Sequence, residues 1–355
     1  MAPNSPTTSD RWTARQERGM DGLQLDRNAV IPPIGPTSCL IKMAAVSLNY
    51  RDVAMMTGAY PGRFEGSMVP CSDGAGTIIA IGSDVSLYKV GDRVCTLFSQ
   101  GRQSGFVTPA IRETTLGNKL DGVLRRHAVF DETGLVAVPA SLSLIEASTL
   151  PCAALTAWNA LFGLEGRRLK AGDAVLAQGT GGVSLFAMQF ALAAGATVIA
   201  TTFSDTKAEK LRRELGVQHV VNYKTNKHWG ETVRGFTPDQ EGAHHIIEVG
   251  GENSMQQSLK AVRAEGVISV VGFLGGKPLA GQELCSFTDV LFIAAVVRGI
   301  NIGSKEQFVA MDGFIDQYDI KPVVDEKIFK FAEAREAYQY LLDQRQWGRV
   351  VFSFD

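Results

Sequence analysis

The spacing of hydrophobic and polar positions changes twice along the chain. From about Arg11 to Val138 the apolar runs are short and broken by Gly and Pro, as in "CLIKMAAV", "GAGTIIAIG", "VGDRVCTLF" and "GLVAVP". Strand-length runs with turn signals between them predict a mostly antiparallel β domain. Beyond Ser141 the spacing becomes helical in "LSLIEASTLPCAALTAWNALFGL". Pro151 suits the first turn of a second helix there, because the N–H it lacks would have no partner in that turn. Strand and helix patterns then alternate: "DAVLAQG", "VSLFAMQFALAAG", "ATVIATT", "TKAEKLRRELG", "HVVNY", "HHIIEVGG", "SMQQSLKAV", "GVISVVGF". Such alternation predicts a parallel sheet covered by helices on both faces. The tail from about Gly299 is helical in "KEQFVAMDGFIDQY" and "EAREAYQYLLDQ" and ends on a strand, "GRVVFSFD", able to return to the first domain's sheet.

A length of 355 residues fits two domains. Charged residues make up 20% of the chain and the formal net charge is −2, so no strong field exists to recruit nucleic acid or an anionic membrane. The expected partner is a small molecule. Cys39, Cys71, Cys95, Cys152 and Cys285 are scattered without a CxxC pair, which argues against a disulfide framework and fits a reducing compartment. The opening "MAPNSPTTSD" lacks the basic-then-apolar pattern of a secretory signal and reads as a disordered lead-in over residues 1–10. "VLFIAAVV", from Val290 to Val297, falls far short of the roughly 20 residues that span a bilayer. A soluble cytoplasmic protein is expected.

"AVLAQGTGGVSLFAMQFALAAGA" carries the strongest chemical signal. An apolar strand ends at Gln178, and Gly179-Thr180-Gly181-Gly182 then turns, through Val183, into an apolar helix. Backbone N–H groups at such a helix start receive a pyrophosphate. Ser184 stands where the third glycine of GxGxxG is usual, so the motif gains its weight from the strand before it and the helix after it. The following strand ends at Thr202, where most NAD binders place Asp or Glu. Without that carboxylate a 2′-phosphate meets no repulsion, and Ser204 and Lys207 can donate to it. NADP(H) is therefore favoured over NAD(H), although Asp205 opposes a phosphate and Lys207 also suits an exposed helix face. The pair His244-His245 begins its strand at the end away from this loop and reads as structural.

Together "SLNYRDVA", "CSDGAGTIIAIG", "KVGDRV", "LPCAALTAWNALF", "QGTGGVSLFAMQFA" and "VNYKTNKHW" resemble the medium-chain dehydrogenase/reductase superfamily, in its zinc-independent quinone-oxidoreductase-like and alcohol-dehydrogenase-like branch. The resemblance runs from about Arg11 to the end. It implies an α/β fold in which a doubly wound Rossmann sheet, residues 146–291, is inserted into a GroES-like β-rich catalytic domain made of residues 11–145 and 292–355. Zinc-bearing relatives carry a cysteine ligand at the position of Asn49 and a His-Glu pair at Ser72-Asp73; only the third position keeps a thiol, Cys152. One thiolate without an imidazole cannot make a three-ligand zinc site, so no metal is expected.

The resemblance implies that Asn49 and Tyr50 polarise the reacting oxygen, with Arg51 and Asp52 behind them, Asp52 being counted among the catalytic residues. It implies that Asn49 and Thr156 lie near the nicotinamide and Tyr223 near the adenosine phosphates. Val249, Gly250, Gly272, Phe273 and Leu274 line the cofactor crevice at strand ends, and Arg349 stands close to the cofactor. The implied activity is hydride transfer between NADP(H) and a conjugated enone, quinone or activated carbonyl by a homodimer. The alternatives are an NAD(P)-dependent alcohol dehydrogenase or ketone reductase and, in another class, a non-catalytic nucleotide-binding protein. The lack of a basic stripe weighs against the last.

Overall fold

A computed structural model describes residues 6–60, 64, 66–276 and 284–354. The chain divides into two compact units, residues 1–155 with 303–355, and residues 156–302. Both borders fall later than the sequence reading placed them. The π-helical turn Leu150–Ala154 packs on the first unit's strands, and the Cys152 N–H donates to Asp73 there at 3.1 Å. At the other border, Val296–Gly299 still belongs to the parallel sheet of the second unit.

The first unit opens with an antiparallel ribbon of β1 (Thr8–Thr13) and β2 (Gln24–Val30). This corrects the lead-in expected over 1–10, whose residues Thr8, Ser9 and Asp10 belong to β1. The anchor is Trp12, buried, with its Nε1–H donating to the Phe331 carbonyl at 2.7 Å. An indole buried with its N–H satisfied gives a short polar segment enough apolar contact to stay ordered. The larger sheet is built on β3 (Ser38–Ser47), β4 (Asp73–Ile81), β5 (Arg93–Thr96), β6 (His127–Asp131) and β7 (Leu135–Ala137), all paired antiparallel. β3 reads as a nearly continuous apolar run because both of its faces are covered: Cys39, Leu40, Ile41, Met43 and Val46 are all buried.

The second unit holds six parallel strands: β8 (Ala174–Gln178), β9 (Thr197–Thr202), β10 (His219–Asn222), β11 (Ala243–Glu248), β12 (Val262–Val270) and β13 (Val296–Gly299). They lie in the order β10-β9-β8-β11-β12-β13. That is the doubly wound Rossmann order, and its reversal between β8 and β11 opens a crevice at the carboxyl ends of the strands. Leu176, Ile199, Ile246 and Ile268 form the core beneath it.

The chain then returns to the first unit through the helix Lys305–Tyr318, β14 (Phe329–Lys330) and β15 (Val351–Ser353). β15 pairs antiparallel with β3, Val351 opposite Ser47, which sets Arg349 and Val350 beside the end of β3. Among the described residues no helix is long and apolar enough to cross a membrane.

Candidate active site

In the first unit, β3 ends at Ser47 and the chain turns at Asn49 into the short helix Tyr50–Met56. The turn needs a carboxylate three residues on, because the first N–H groups of a helix have no partner within it. Asp52 supplies it, accepting the Asn49 backbone N–H at 2.8 Å. The polar residues "NYRD" thus end the apolar strand because they start a helix. Asp52 also accepts from Arg51 Nη2 at 3.4 Å, and burial raises its pKa against the pull of Arg51. Its carboxylate is thus engaged by its own turn, which makes it a positioning residue rather than one free for substrate. Arg51 is buried, donates to the Leu116 carbonyl at 2.9 Å and lies over the Phe98 ring at 4.5 Å, yet its Nε and Nη1 have no acceptor. Tyr50 is partly exposed.

Asp73, at the start of β4, is the hub that the sequence reading did not name as functional. It accepts the Ser72 hydroxyl at 2.6 Å, the Cys152 N–H at 3.1 Å and Arg349 Nη2 at 3.4 Å. Arg349 reaches further, donating through Nε to Ser47 Oγ at 3.1 Å. Burial pushes the Asp73 carboxyl up to about 6, with Arg349, Ser72 and Asn49 pulling it down and Asp52 adding to the rise. Asn49 itself is buried and its Nδ2 has no acceptor at bonding geometry. The cluster therefore contains a carboxyl raised to about 6 by burial, an Asn49 amide nitrogen beside it without a hydrogen bond at full bonding geometry, and Arg51 Nε and Nη1 without acceptors. Arg349, expected close to a cofactor, has its guanidinium committed to Asp73 and Ser47.

In the second unit the loop after β8 has the form the sequence pointed to. Gly179 adopts φ +72°, the left-handed region that favours glycine, and Gly181 precedes the helix Gly182–Ala193. A Cβ added at Gly179 or Gly181 would meet nothing within 4 Å, so open space lies over the loop. Thr180, Gly182 and Val183 complete the turn without being buried. Ser184 fits the third-glycine position because its hydroxyl turns inward, donating to the Gln178 carbonyl at 2.5 Å.

A buried network holds this crevice, and Gln178 and Glu248 within it escaped the sequence reading. Gln178 Nε2 donates to Glu248 Oε2 and to Ser258 Oγ, each at 2.7 Å. Glu248 accepts the N–H groups of Gly250 and Gly251 at 2.8 and 3.0 Å, and Val249 N–H donates to Gln178 Oε1 at 3.2 Å. The next loop docks on the same backbone: Leu274 N–H donates to the Val249 carbonyl and Gly275 N–H to that of Gly250, each at 2.9 Å. Val249, Gly250, Gly272, Phe273 and Leu274 are thereby brought together, with Phe273 and Leu274 exposed. An acid inside an apolar strand just ahead of two glycines, "IIEVGG", was the available signal.

At the ribose end Thr202 is buried and its Oγ accepts the Ser204 N–H at 3.3 Å. Ser204 caps the helix Asp205–Leu215, its Oγ accepting the Lys207 N–H at 3.3 Å, which leaves the hydroxyl proton for another acceptor. Asp205 accepts from Asn222 Nδ2 at 2.8 Å. Tyr223 meets the Phe203 ring edge-on at the adjoining strand ends. Thr156 lies in the helix Leu155–Phe162, almost fully buried, and its Oγ1 has no partner, not even the helix backbone. An orphaned buried hydroxyl is costly, and it fits the nicotinamide-facing position that the sequence reading gave this residue.

Comparison with known proteins decides the family. The alcohol dehydrogenase GroES-like domain matches residues 35–140 and the zinc-binding dehydrogenase family matches residues 182–317. A zinc-type alcohol dehydrogenase-like protein of Schizosaccharomyces pombe is 41% identical, over 95% of this chain and 96% of its own length. The chain belongs to the medium-chain dehydrogenase/reductase superfamily. It is an oxidoreductase, as its relatives are. A crystal structure described as an alcohol dehydrogenase of Sinorhizobium meliloti is 38% identical, covers 99% of this chain and 100% of that one, and superimposes with a TM-score of 0.87. A 2-methylene-furan-3-one reductase of Solanum lycopersicum is 27% identical over 98% of this chain and 79% of its own.

The zinc that the family name implies does not fit this medium-chain member's side chains. Asn49, Ser72 and Cys152, which the sequence resemblance sets at metal-ligand positions, offer an amide, a hydroxyl already donating to Asp73, and a thiol that burial pushes well above its ordinary pKa. Zinc sites are built from thiolate, imidazole and carboxylate. Among the described residues no group of three or more His, Cys, Asp or Glu side chains is placed to hold a metal ion.

Proposed function

We propose that the chain is a zinc-independent, NADP(H)-dependent oxidoreductase that transfers a hydride between nicotinamide and a conjugated enone, quinone or otherwise activated carbonyl. The observation that supports this reading is the set of buried N–H donors, Asn49 Nδ2 and Arg51 Nε and Nη1, that make no hydrogen bond in the turn whose Asn49 the resemblance sets at a zinc-ligand position. The nicotinamide supplies the hydride. The protein's share is to offer fixed donors to the negative charge that develops on the accepting oxygen. Neutral N–H donors and a guanidinium polarise an oxygen less than a zinc ion, so acceptors that delocalise the incoming charge suit this site best. The tomato relative is named for reducing such an enone. For the cofactor, Gly179 to Val183 would receive the pyrophosphate. Ser204 and Lys207 would face a 2′-phosphate that no carboxylate at Thr202 repels.

The decisive experiment follows NADPH consumption against enones, quinones and simple ketones, with elemental analysis of the same preparation. Turnover of activated acceptors by protein holding far less than one zinc per chain supports the reading; stoichiometric zinc lost together with turnover on chelation refutes it. The second reading, an NAD(P)-dependent alcohol dehydrogenase, is favoured by the name of the 41% identical relative and requires simple alcohols and ketones to be the best substrates.

The homodimer is also a proposal. β13 ends the parallel sheet, and Phe287, Leu291 and Phe292 on the adjoining helix are 95%, 71% and 85% exposed. Apolar surface of this size beside an open strand edge suits a second copy of the same sheet. A monomeric mass in sedimentation would refute it.

A further inference from the structure

The second unit has a cavity of about 240 Å³ at the amino ends of β8, β11 and β12, the opposite end of the sheet from the glycine loop. Arg167, Arg168, Lys170 and Arg263 line it against two carboxylates, Asp173 and Glu265, an excess of two positive charges. Glu265 is taken by Arg167 at 3.1 Å, and Arg263 Nη2 leans toward Glu241 at 3.5 Å.

Inside the cavity the hydrogen-bond donors outnumber the acceptors. The Ala174 N–H points at His244 Nδ1 at 3.0 Å and the Arg263 Nη1–H at Nε2 of the same ring at 2.6 Å. A neutral imidazole accepts at only one nitrogen, so one of these N–H groups meets a ring N–H instead of an acceptor. Two donors confront each other, with Asp173 Oδ1 at 3.5 Å from His244 as the nearest relief. Arg263 Nε is buried without a partner. His245, 4% exposed, also lines the cavity with its Nε2 3.9 Å from Asp173 Oδ2, which leaves its unpartnered Nδ1 as an acceptor for a protonated ligand oxygen. Burial lowers the pKa of both rings, that of His245 to about 4, so neither ring is charged at neutral pH. Asp173 is thus the one carboxylate facing both rings, and the cationic side chains around it outnumber the acceptors, an arrangement suited to an oxyanion. The volume is below the roughly 300 Å³ at which pockets begin to take drug-sized ligands, so the ligand is small.

We propose that this cavity binds a small dianionic oxyanion, inorganic phosphate or a phosphomonoester, at a site separate from the dinucleotide loop. Arg263 and His244 would donate from the cavity floor, and Arg168 and Lys170, both exposed, would neutralise charge at the rim.

Calorimetric titration of the full chain tests this at fixed ionic strength, with inorganic phosphate in one arm and glycerol phosphate in the other. Saturable binding of either is expected, and the tighter arm tells free ion from ester. The double variant Arg168→Gln/Lys170→Gln, which changes only exposed side chains, should weaken it by about tenfold or more. Lys207→Gln, at the other end of the sheet, should leave it unchanged. Absence of saturable binding in both arms, an undiminished affinity in the double variant, or a loss in Lys207→Gln would each overturn the proposal.

Discussion

Arg349 and Asp73, 276 positions apart, form a buried ion pair, Nη2 to Oδ2 at 3.4 Å, with side chains 7% and 0% exposed. It ties the segment ahead of the last strand to the carboxyl at the centre of the candidate site. Removing one partner of a buried pair strands the other charge and typically costs about 3–5 kcal/mol. Arg349→Met should therefore lower the unfolding free energy, measured with urea, by about that amount. A loss near that of an exposed pair, about 1 kcal/mol or less, would show that the pair does not hold the two segments together.

Asp73 gives stability a distinct pH dependence. Its carboxyl is raised from 3.8 to about 6 by burial, so the folded chain keeps this proton after the unfolded chain has lost it. The stabilisation is full below pH about 4 and is lost as pH rises through about 6. A shift of about 2 units corresponds to roughly 3 kcal/mol. The unfolding free energy of the wild type minus that of Asp73→Asn should fall by up to about that amount across the window. A difference that is constant, or that grows with pH, would mean that Asp73 is not raised.

Local rhythm made much of the fold legible, and long-range pairing hid much of the site. The change from strand-length runs to strand-helix alternation marked both architectures, and "QGTGG" between strand and helix marked the loop that Gly179 and Gly181 form. The returning strand "GRVVFSFD" was legible because its apolar run had no other sheet to join. Glu248 was not, because its partner Gln178 lies on another strand, 70 positions away. Asp73 was visible only as the neighbour of a missing metal ligand; the resemblance set Cys152 at the same site, but its partner Arg349 comes from a segment that no period or motif connects to it. The lead-in was misread because composition alone does not show that Trp12 has a carbonyl waiting at Phe331.

The proposed preference for NADP(H) rests on Thr202. Its buried Oγ accepts the Ser204 N–H, while the Ser204 hydroxyl proton remains available. One charge-assisted bond to a 2′-phosphate is worth roughly 1.5–3 kcal/mol, about a 10- to 150-fold preference for NADPH. Thr202→Asp would place a carboxylate at this strand end and should reverse the order. Titration of intrinsic fluorescence with NADPH and NADH measures both; equal affinities in the wild type would show that Ser204 and Lys207 do not meet a ribose phosphate.

The last expectation concerns the oxyanion. Truncating Asn49 removes the buried Nδ2 donor and the side-chain half of the capping box, at about 1 kcal/mol, while the Asn49 backbone N–H still holds the turn to Asp52. Loss of one oxyanion donor typically lowers turnover by about 10²–10³. Asn49→Ala should reduce kcat for an enone by up to that factor and leave NADPH affinity nearly unchanged, because the residues proposed to receive the pyrophosphate and the 2′-phosphate lie in the second unit. Tyr50→Phe separates the two candidates: a loss confined to Asn49→Ala assigns the role to the amide, and a loss in both shares it. The comparison also tests the choice of acceptor, since a simple ketone, with no conjugation to spread the charge, should suffer more from the missing donor than an enone does. If both variants keep full kcat on every acceptor, "NYRD" is a helix start that shapes the site without touching the reaction.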